Sequence, residues 1–194
     1  LEARKEVAAI EVNISCPNVT HGKMRLAHRL VAQDPRATRA VVKAVRKVTE
    51  KTIITKLSPN VTDIVEIAQA AEDAGSDAIA LINTLMGLSI DIENRKAKVA
   101  MGIAGLSGPA VRPVAVRMVH SVYQRVRIPL IGMGGIVDAA SALEFIIAGA
   151  TAVSVGTANF INPGVGQEII GGLKEYLHKH KIKDVKHLIG SFVL

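Results

Sequence analysis

Cys16 is the only cysteine of the 194-residue chain, and it stands in the run Ser15-Cys-Pro-Asn18 with a carboxamide on either side, Asn13 and Asn18. A free thiol titrates near pH ~8.5, so it is mainly protonated at neutral pH yet near enough for base work in slightly alkaline solution. Two readings follow: a small buried hydrophobe, or a thiol placed to transfer protons. Asn13, Asn18, Asn60 and Asn83 each offer a donor and an acceptor together, suited to the edge of a heterocycle or a carboxylate. Capping a turn is the plainer role, and it fits Asn60 best. Lys56 lies inside an apolar run, where its charge needs either an anionic ligand as partner or a path to solvent for its ammonium. Gly134-Gly135 and Gly156-Thr157 provide two turns where backbone N–H groups can approach a phosphate with no side chain intervening.

These residues share one kind of place. Five short runs rich in β-branched residues, at 9–15, 52–57, 78–83, 129–133 and 152–156, alternate with segments of helical period. That alternation predicts βα units around a parallel sheet. Each candidate group then falls just after a strand, where ligand chemistry gathers in such folds. Val41, Val45 and Val48 are expected on the sheet-facing side of a first helix. Thr62 is the expected cap of a second helix that carries Ile64, Ala68 and Ala71 inward and stops at Gly75. A third helix is predicted over 111–126 with Ala115, Met118 and Val122 inward, and a fourth from Asp138 to Gly149. Pro163 suits the first turn of a fifth. The connection 85–108 is too long for an ordinary loop, and its alternating segments 89–92 and 98–101 predict an inserted hairpin that covers a site or meets a partner.

Composition excludes several classes. With 49% hydrophobic and 21% charged residues the chain can build a core, unlike disordered or disulfide-framework sequences. The uncharged stretch 145–167 is broken by five glycines and prolines and is no membrane span: Gly149, Gly156, Pro163, Gly164 and Gly166. The charged opening residues 1–6 do not read as a secretory signal, and one cysteine suits a reducing cytoplasm. The net charge of +7 is spread over a solvated side of the first helix (Lys43, Arg46, Lys47, Lys51) and the C-terminal end (Lys174 to Lys186). With two Tyr, three Phe and no Trp there is little to stack bases on, so nucleic acid is not expected. None of the six histidines has metal-ligand spacing, so no metal is predicted; G-x-S-x-G, P-loop and Rossmann fingerprints are missing. With no repeat or linker, residues 1–194 read as one domain or part of one.

Six motifs in order resemble the dihydroorotate dehydrogenase family, nearest to the catalytic subunit of its NAD-linked class I branch. They are Asn13-Ile-Ser-Cys-Pro-Asn-Val19, Lys56-Leu-Ser-Pro-Asn-Val-Thr-Asp63, Ile82-Asn-Thr-Leu-Met-Gly87, Gly105-Leu-Ser-Gly-Pro109, Ile131-Gly-Met-Gly-Gly-Ile136 and Val155-Gly-Thr-Ala-Asn-Phe160, and the likeness runs over 9–163. The resemblance implies an FMN-containing (β/α)8 TIM barrel that oxidises (S)-dihydroorotate to orotate in pyrimidine biosynthesis. It implies that Cys16 is the base at C5 and that Asn13, Asn18, Asn83 and Thr84 hold the substrate. Asn13, Lys56 and Ile82 then face the isoalloxazine, with Gly108, Gly134, Gly135, Gly156 and Thr157 toward the ribityl-phosphate. It further implies a partner subunit with FAD and a [2Fe–2S] cluster that passes electrons to NAD. Such barrels take about 250 residues. With five strands the chain is expected to be an incomplete barrel of about the last five βα units, either a fragment or a short product. An open edge is expected to recruit the rest from another chain, as a homo- or hetero-oligomer. The stretch 20–35 is longer than the family's usual segment where a lid is expected. The alternatives are another flavin barrel acting on pyrimidines, like dihydropyrimidine dehydrogenase or tRNA dihydrouridine synthase, or an inactive chain that only binds a partner.

Overall fold

The structure, a computed structural model, describes residues 1–16 and 31–193. Asn18 and residues 20–30 of the expected lid lie outside the described residues.

Five parallel strands form the main sheet: β1 (Ala9–Asn13), β2 (Thr52–Lys56), β3 (Ala78–Leu81), β4 (Leu130–Met133) and β5 (Ala152–Ser154). Their order in the sheet repeats their order in the chain. The registers Asn13↔Lys56, Lys56↔Ala80 and Met133↔Ser154 bring all five exits to one edge. This is the expected α/β barrel architecture, left open between β1 and β5.

Alternation along the strands separates two faces. Ile53, Thr55, Ile79, Leu81 and Leu130 are almost completely buried beneath the helices, together with Ala68, Ala115, Met118, Val122 and Phe145. Burying each large aliphatic of this layer stabilises the fold by about 1.5–3 kcal/mol relative to exposure. On the opposite face Glu11, Asn13, Lys56, Met133 and Ser154 stay partly or fully exposed, while Ala78 and Ala80 of β3 are buried there as well.

The helices begin where the sequence supplies acceptors. Asp34 caps α1 (Pro35–Arg46) by accepting from the Arg36 N–H at 2.8 Å, and Pro35 has the fixed φ a first turn needs. The cap of α2 (Ile64–Asp73) is Asp63 rather than Thr62: Asp63 has the extended backbone next to the first turn and accepts from the Val65 N–H at 2.8 Å. Ile64, Ala68 and Ala71 are buried and Gly75 follows the end of α2 at φ +99°, as expected. Helix α3 (Arg112–Tyr123) is shorter than the predicted span: Val111 belongs to the 3-10 turn Pro109–Val111, and the helix is capped at Gln124, where the Arg125 and Val126 N–H groups both close on the Val122 carbonyl. Its inward residues Ala115, Met118 and Val122 are as read from the sequence. Helix α4 (Ala139–Ala148) begins at Asp138 in a reciprocal cap with Ser141 and stops at Gly149. A short α5 (Ala158–Ile161), not foreseen, precedes α6 (Val165–Lys179), which starts just after Pro163.

Two expectations need correction. Val48 is 72% exposed, because α1 ends at Arg46; the line facing the core is Thr38 and Val42. Arg46 is no solvated charge. Its guanidinium donates to the carbonyls of Gly75, Thr49 and Lys51 at 3.0, 3.2 and 3.1 Å and pairs with Asp77, fastening the edge where the strands begin. Beside it the buried hydroxyls of Thr55 and Ser76 bond at 2.8 Å.

The insertion is present with a different register from the predicted one. Leu85–Gly87 pairs antiparallel with Ala104–Leu106, and Ile90–Asp91 with Lys96–Ala97, while the Lys98 N–H closes on the Ser89 carbonyl at 2.9 Å. Residues 99–101 turn away instead of continuing the ladder.

Candidate active site

An open cleft of about 350 Å³ lies at the exit edge of the sheet, with Ala158 and Ile161 of α5 in its lining. Small-molecule and cofactor sites usually span roughly 300–1,000 Å³. Its lining includes Lys56, Ile82, Asn83, Thr84, Gly108, Gly134, Gly135, Gly156 and Thr157, nine of the residues singled out from the sequence. They come from the end of β2 and from the connections that follow β3, β4 and β5, and the parallel registers bring them to one edge.

Its two ends differ in construction. At the glycine end, Gly135 has φ +77°, and a Cβ there would lie 2.6 Å from the Gly108 carbonyl oxygen. Glycine at 135 therefore lets the loop before α3 close against the loop after β4. Gly108 and Gly156 have nothing within 4 Å of the position of a Cβ, so open space adjoins their backbone. Ser107 and Thr157 hydroxyls approach to 3.5 Å across this end.

The other end is a network of side chains. Asn13 Oδ1 accepts from the N–H and hydroxyl of Ser15 at 3.1 and 2.8 Å. Asn83 donates to the Ser15 hydroxyl at 2.9 Å and carbonyl at 3.3 Å, and accepts from the Thr84 N–H at 2.8 Å. These bonds tie the exit of β1, which carries the half-buried Cys16, to the exit of β3. Asn13 and Cys16 do not line the cleft itself; they stand at its margin through the Ser15–Asn83 tie.

Lys56 has a partner that was missed in the sequence: Glu11 Oε1 lies 3.6 Å from Nζ, and the lysine side chain is only 22% exposed. The signal was available, since Glu11 precedes Asn13 by two and period-2 alternation puts both on the face of Lys56. Asn60 does more than cap a turn. It donates to the Thr84 carbonyl at 2.9 Å and accepts from the Met86 N–H at 3.0 Å, clamping the root of the insertion beside the cleft. Gly105, in the insertion's return strand, leaves room for the Thr84 side chain, which a Cβ there would strike. Neither contact is visible in spacing, because both join residues about 20 positions apart or more through an irregular segment.

Three comparisons bear on this site. The family model described as dihydroorotate dehydrogenase matches residues 2–177. A curated protein of Trichlorobacter lovleyi, named dihydroorotate dehydrogenase B (NAD(+)), catalytic subunit, is 54% identical over 191 residues, covering 98% of this chain and 61% of that protein. One of the same name from Porphyromonas gingivalis is 50% identical, over 98% of this chain and 60% of its own length. The chain thus spans about 61% of the length of such relatives. Among solved structures, DHODH from Eimeria tenella in complex with ferulenol superposes with a TM-score of 0.77 at 24% identity, covering 95% of this chain and 54% of that one. At that identity the likeness speaks for the barrel fold alone.

Proposed function

Since the chain belongs to the dihydroorotate dehydrogenase family, we propose that it builds the flavin- and substrate-binding wall of an enzyme that oxidises (S)-dihydroorotate to orotate in pyrimidine biosynthesis. The observation that carries this reading is the tie from Ser15 to Asn83, which sets the thiol-bearing turn on the same rim as the two glycine turns. A thiol on the opposite edge of the sheet would have been useless to a ligand in the cleft.

FMN fits the residues present. Open space beside Gly108 and Gly156 accepts a ribityl-phosphate at the glycine end, with Gly134, Gly135 and Thr157 around it. Ile82 offers an apolar contact and Lys56 a cation at the other end, toward the ring system, with Asn13 nearby. When bound, FMN supplies the acceptor for the hydride that leaves C6 of the substrate. Cys16, as thiolate, takes the proton from C5. Asn13, Asn18, Asn83 and Thr84 orient the pyrimidine ring and its carboxylate, so that the C5 proton faces the sulfur. The words "NAD(+)" and "catalytic subunit" in the relatives' names support a second subunit as the route for electrons to NAD. By the family resemblance that subunit carries FAD and a [2Fe–2S] cluster and the reaction runs in the cytoplasm.

The test is anaerobic. The chain incubated with FMN and freed of excess is expected to stay yellow, and dihydroorotate is expected to bleach it with formation of orotate. A colourless protein, or flavin that dihydroorotate leaves oxidised, would overturn the reading.

A further inference from the structure

Ser15 is fully buried, and no step above uses it. Two backbone N–H groups, which can only donate, decide how its neighbours face. The Ser15 N–H turns Asn13 Oδ1 toward the serine at 3.1 Å, and the Thr84 N–H turns Asn83 Oδ1 away from it at 2.8 Å. Asn83 therefore presents its NH2 to Ser15, whose Oγ accepts at 2.9 Å and whose carbonyl accepts at 3.3 Å. Having accepted, the hydroxyl directs its one proton to Asn13 Oδ1 at 2.8 Å. This fills both lone pairs of Asn13 Oδ1 and commits the NH2 of Asn83 to Ser15. Among the described residues two N–H donors are left over on Asn13, while Asn83 Oδ1 accepts from the Thr84 N–H and, at 3.5 Å, from the Thr84 hydroxyl, a long contact that an N–H of a ligand can displace.

We propose that Ser15 is the positioning residue that locks this arrangement, its hydroxyl holding the two carboxamides against each other so that the pair recognises a ring edge carrying an acceptor oxygen beside an N–H. The proposal rests on the reading of the site as one for dihydroorotate and orotate. A hydroxyl is suited to the task because it accepts from one carboxamide while donating to the other. With a methyl group in its place, Asn13 retains only the Ser15 N–H and Asn83 only the Ser15 carbonyl and the Thr84 N–H, so the two amides are no longer held against each other and can shift relative to the ligand.

Ser15→Ala tests this in the FMN-loaded chain, with orotate as the probe and its perturbation of the flavin absorbance as the signal. Orotate affinity is expected to fall about tenfold and the KM for dihydroorotate to rise in step. FMN affinity is expected to change less than about threefold, a split between orotate and flavin that general loosening of the fold would not give. An unchanged orotate affinity in a flavin-loaded Ser15→Ala protein would overturn the proposal while leaving the family reading intact. Unsubstituted chain that takes up no flavin would overturn both this proposal and the functional reading of the site. A measurement without substitution covers the case of a variant that does not fold: in the unliganded chain, side-chain amide hydrogens of Asn83 are expected to exchange with solvent more slowly than those of Asn13. The opposite order would refute the assignment.

Discussion

Where the strands begin, Arg46 commits its guanidinium to three carbonyls and Asp77, and the Thr55 and Ser76 hydroxyls answer each other. Where the strands end, among the described residues Asn13 keeps both amide hydrogens uncommitted and Lys56 shares its charge with a half-exposed Glu11, and the backbone at Gly156 adjoins open space. Both edges are rich in polar groups on loops of similar kind. They differ in whether those groups satisfy one another or are left with capacity directed outward. The first arrangement holds a fold together, and the second waits for a ligand.

Substitution at either edge can break this contrast. The largest effect is expected at the exit edge: Cys16→Ala should slow flavin reduction by dihydroorotate on the order of 10²-fold or more, with the thermal midpoint nearly unchanged, as stopped-flow and melting measurements would read. Equal losses in rate and stability would erase the distinction. At the opposite edge Arg46→Ala should cost about 2 kcal/mol of stability in urea titrations, because it strands several carbonyls and a carboxylate, and should leave FMN affinity as it was.

Gly135→Ala sharpens the comparison, since it alters shape in place of polarity. The positive φ and the approach to the Gly108 carbonyl should weaken FMN binding by roughly tenfold and lower stability by about 1–3 kcal/mol, both checked by flavin fluorescence and melting. The smallest effect concerns Asp138. Its carboxyl is held below the ordinary 3.8 by the hydroxyl and N–H of Ser141, with the Arg112 charge adding to this. A depressed folded value means that the contribution is complete above the unfolded value near 3.8 and fades as pH falls through the lower folded one. Asp138→Asn keeps a cap and should remove that acid dependence, while Asp138→Ala should cost about 1 kcal/mol at neutral pH.

The readability of the sequence follows the same division. The β-branched runs located all five strands, yet each predicted run but the fourth extends past the true strand end. Ser15, Leu57, Asn83 and Gly156 look like strand continuation, but they lie beyond the last ladder pair, where backbone and side chains bond to neighbouring exits instead. The helix start at Asp138 was legible, Asp34 before Pro35 was not read as the start of α1, and at α2 two neighbouring candidates, Thr62 and Asp63, made the reading miss by one. Glycine turns and the isolated thiol stood out because their chemistry is local. Glu11, Ser15, Asn60 and Gly105 did not, because their roles exist only once distant segments meet across the rim.

Because neighbours in the sheet are also neighbours along the polypeptide, each new strand finds its docking partner already synthesised. Every crossover must still close a loop long enough to hold a helix, a cost in chain entropy that makes pairing slow relative to a hairpin. The pattern therefore suits stepwise growth on the ribosome, with Ile53 and Thr55 laid beside Ile10 and Val12 before the residues of the fourth strand have emerged.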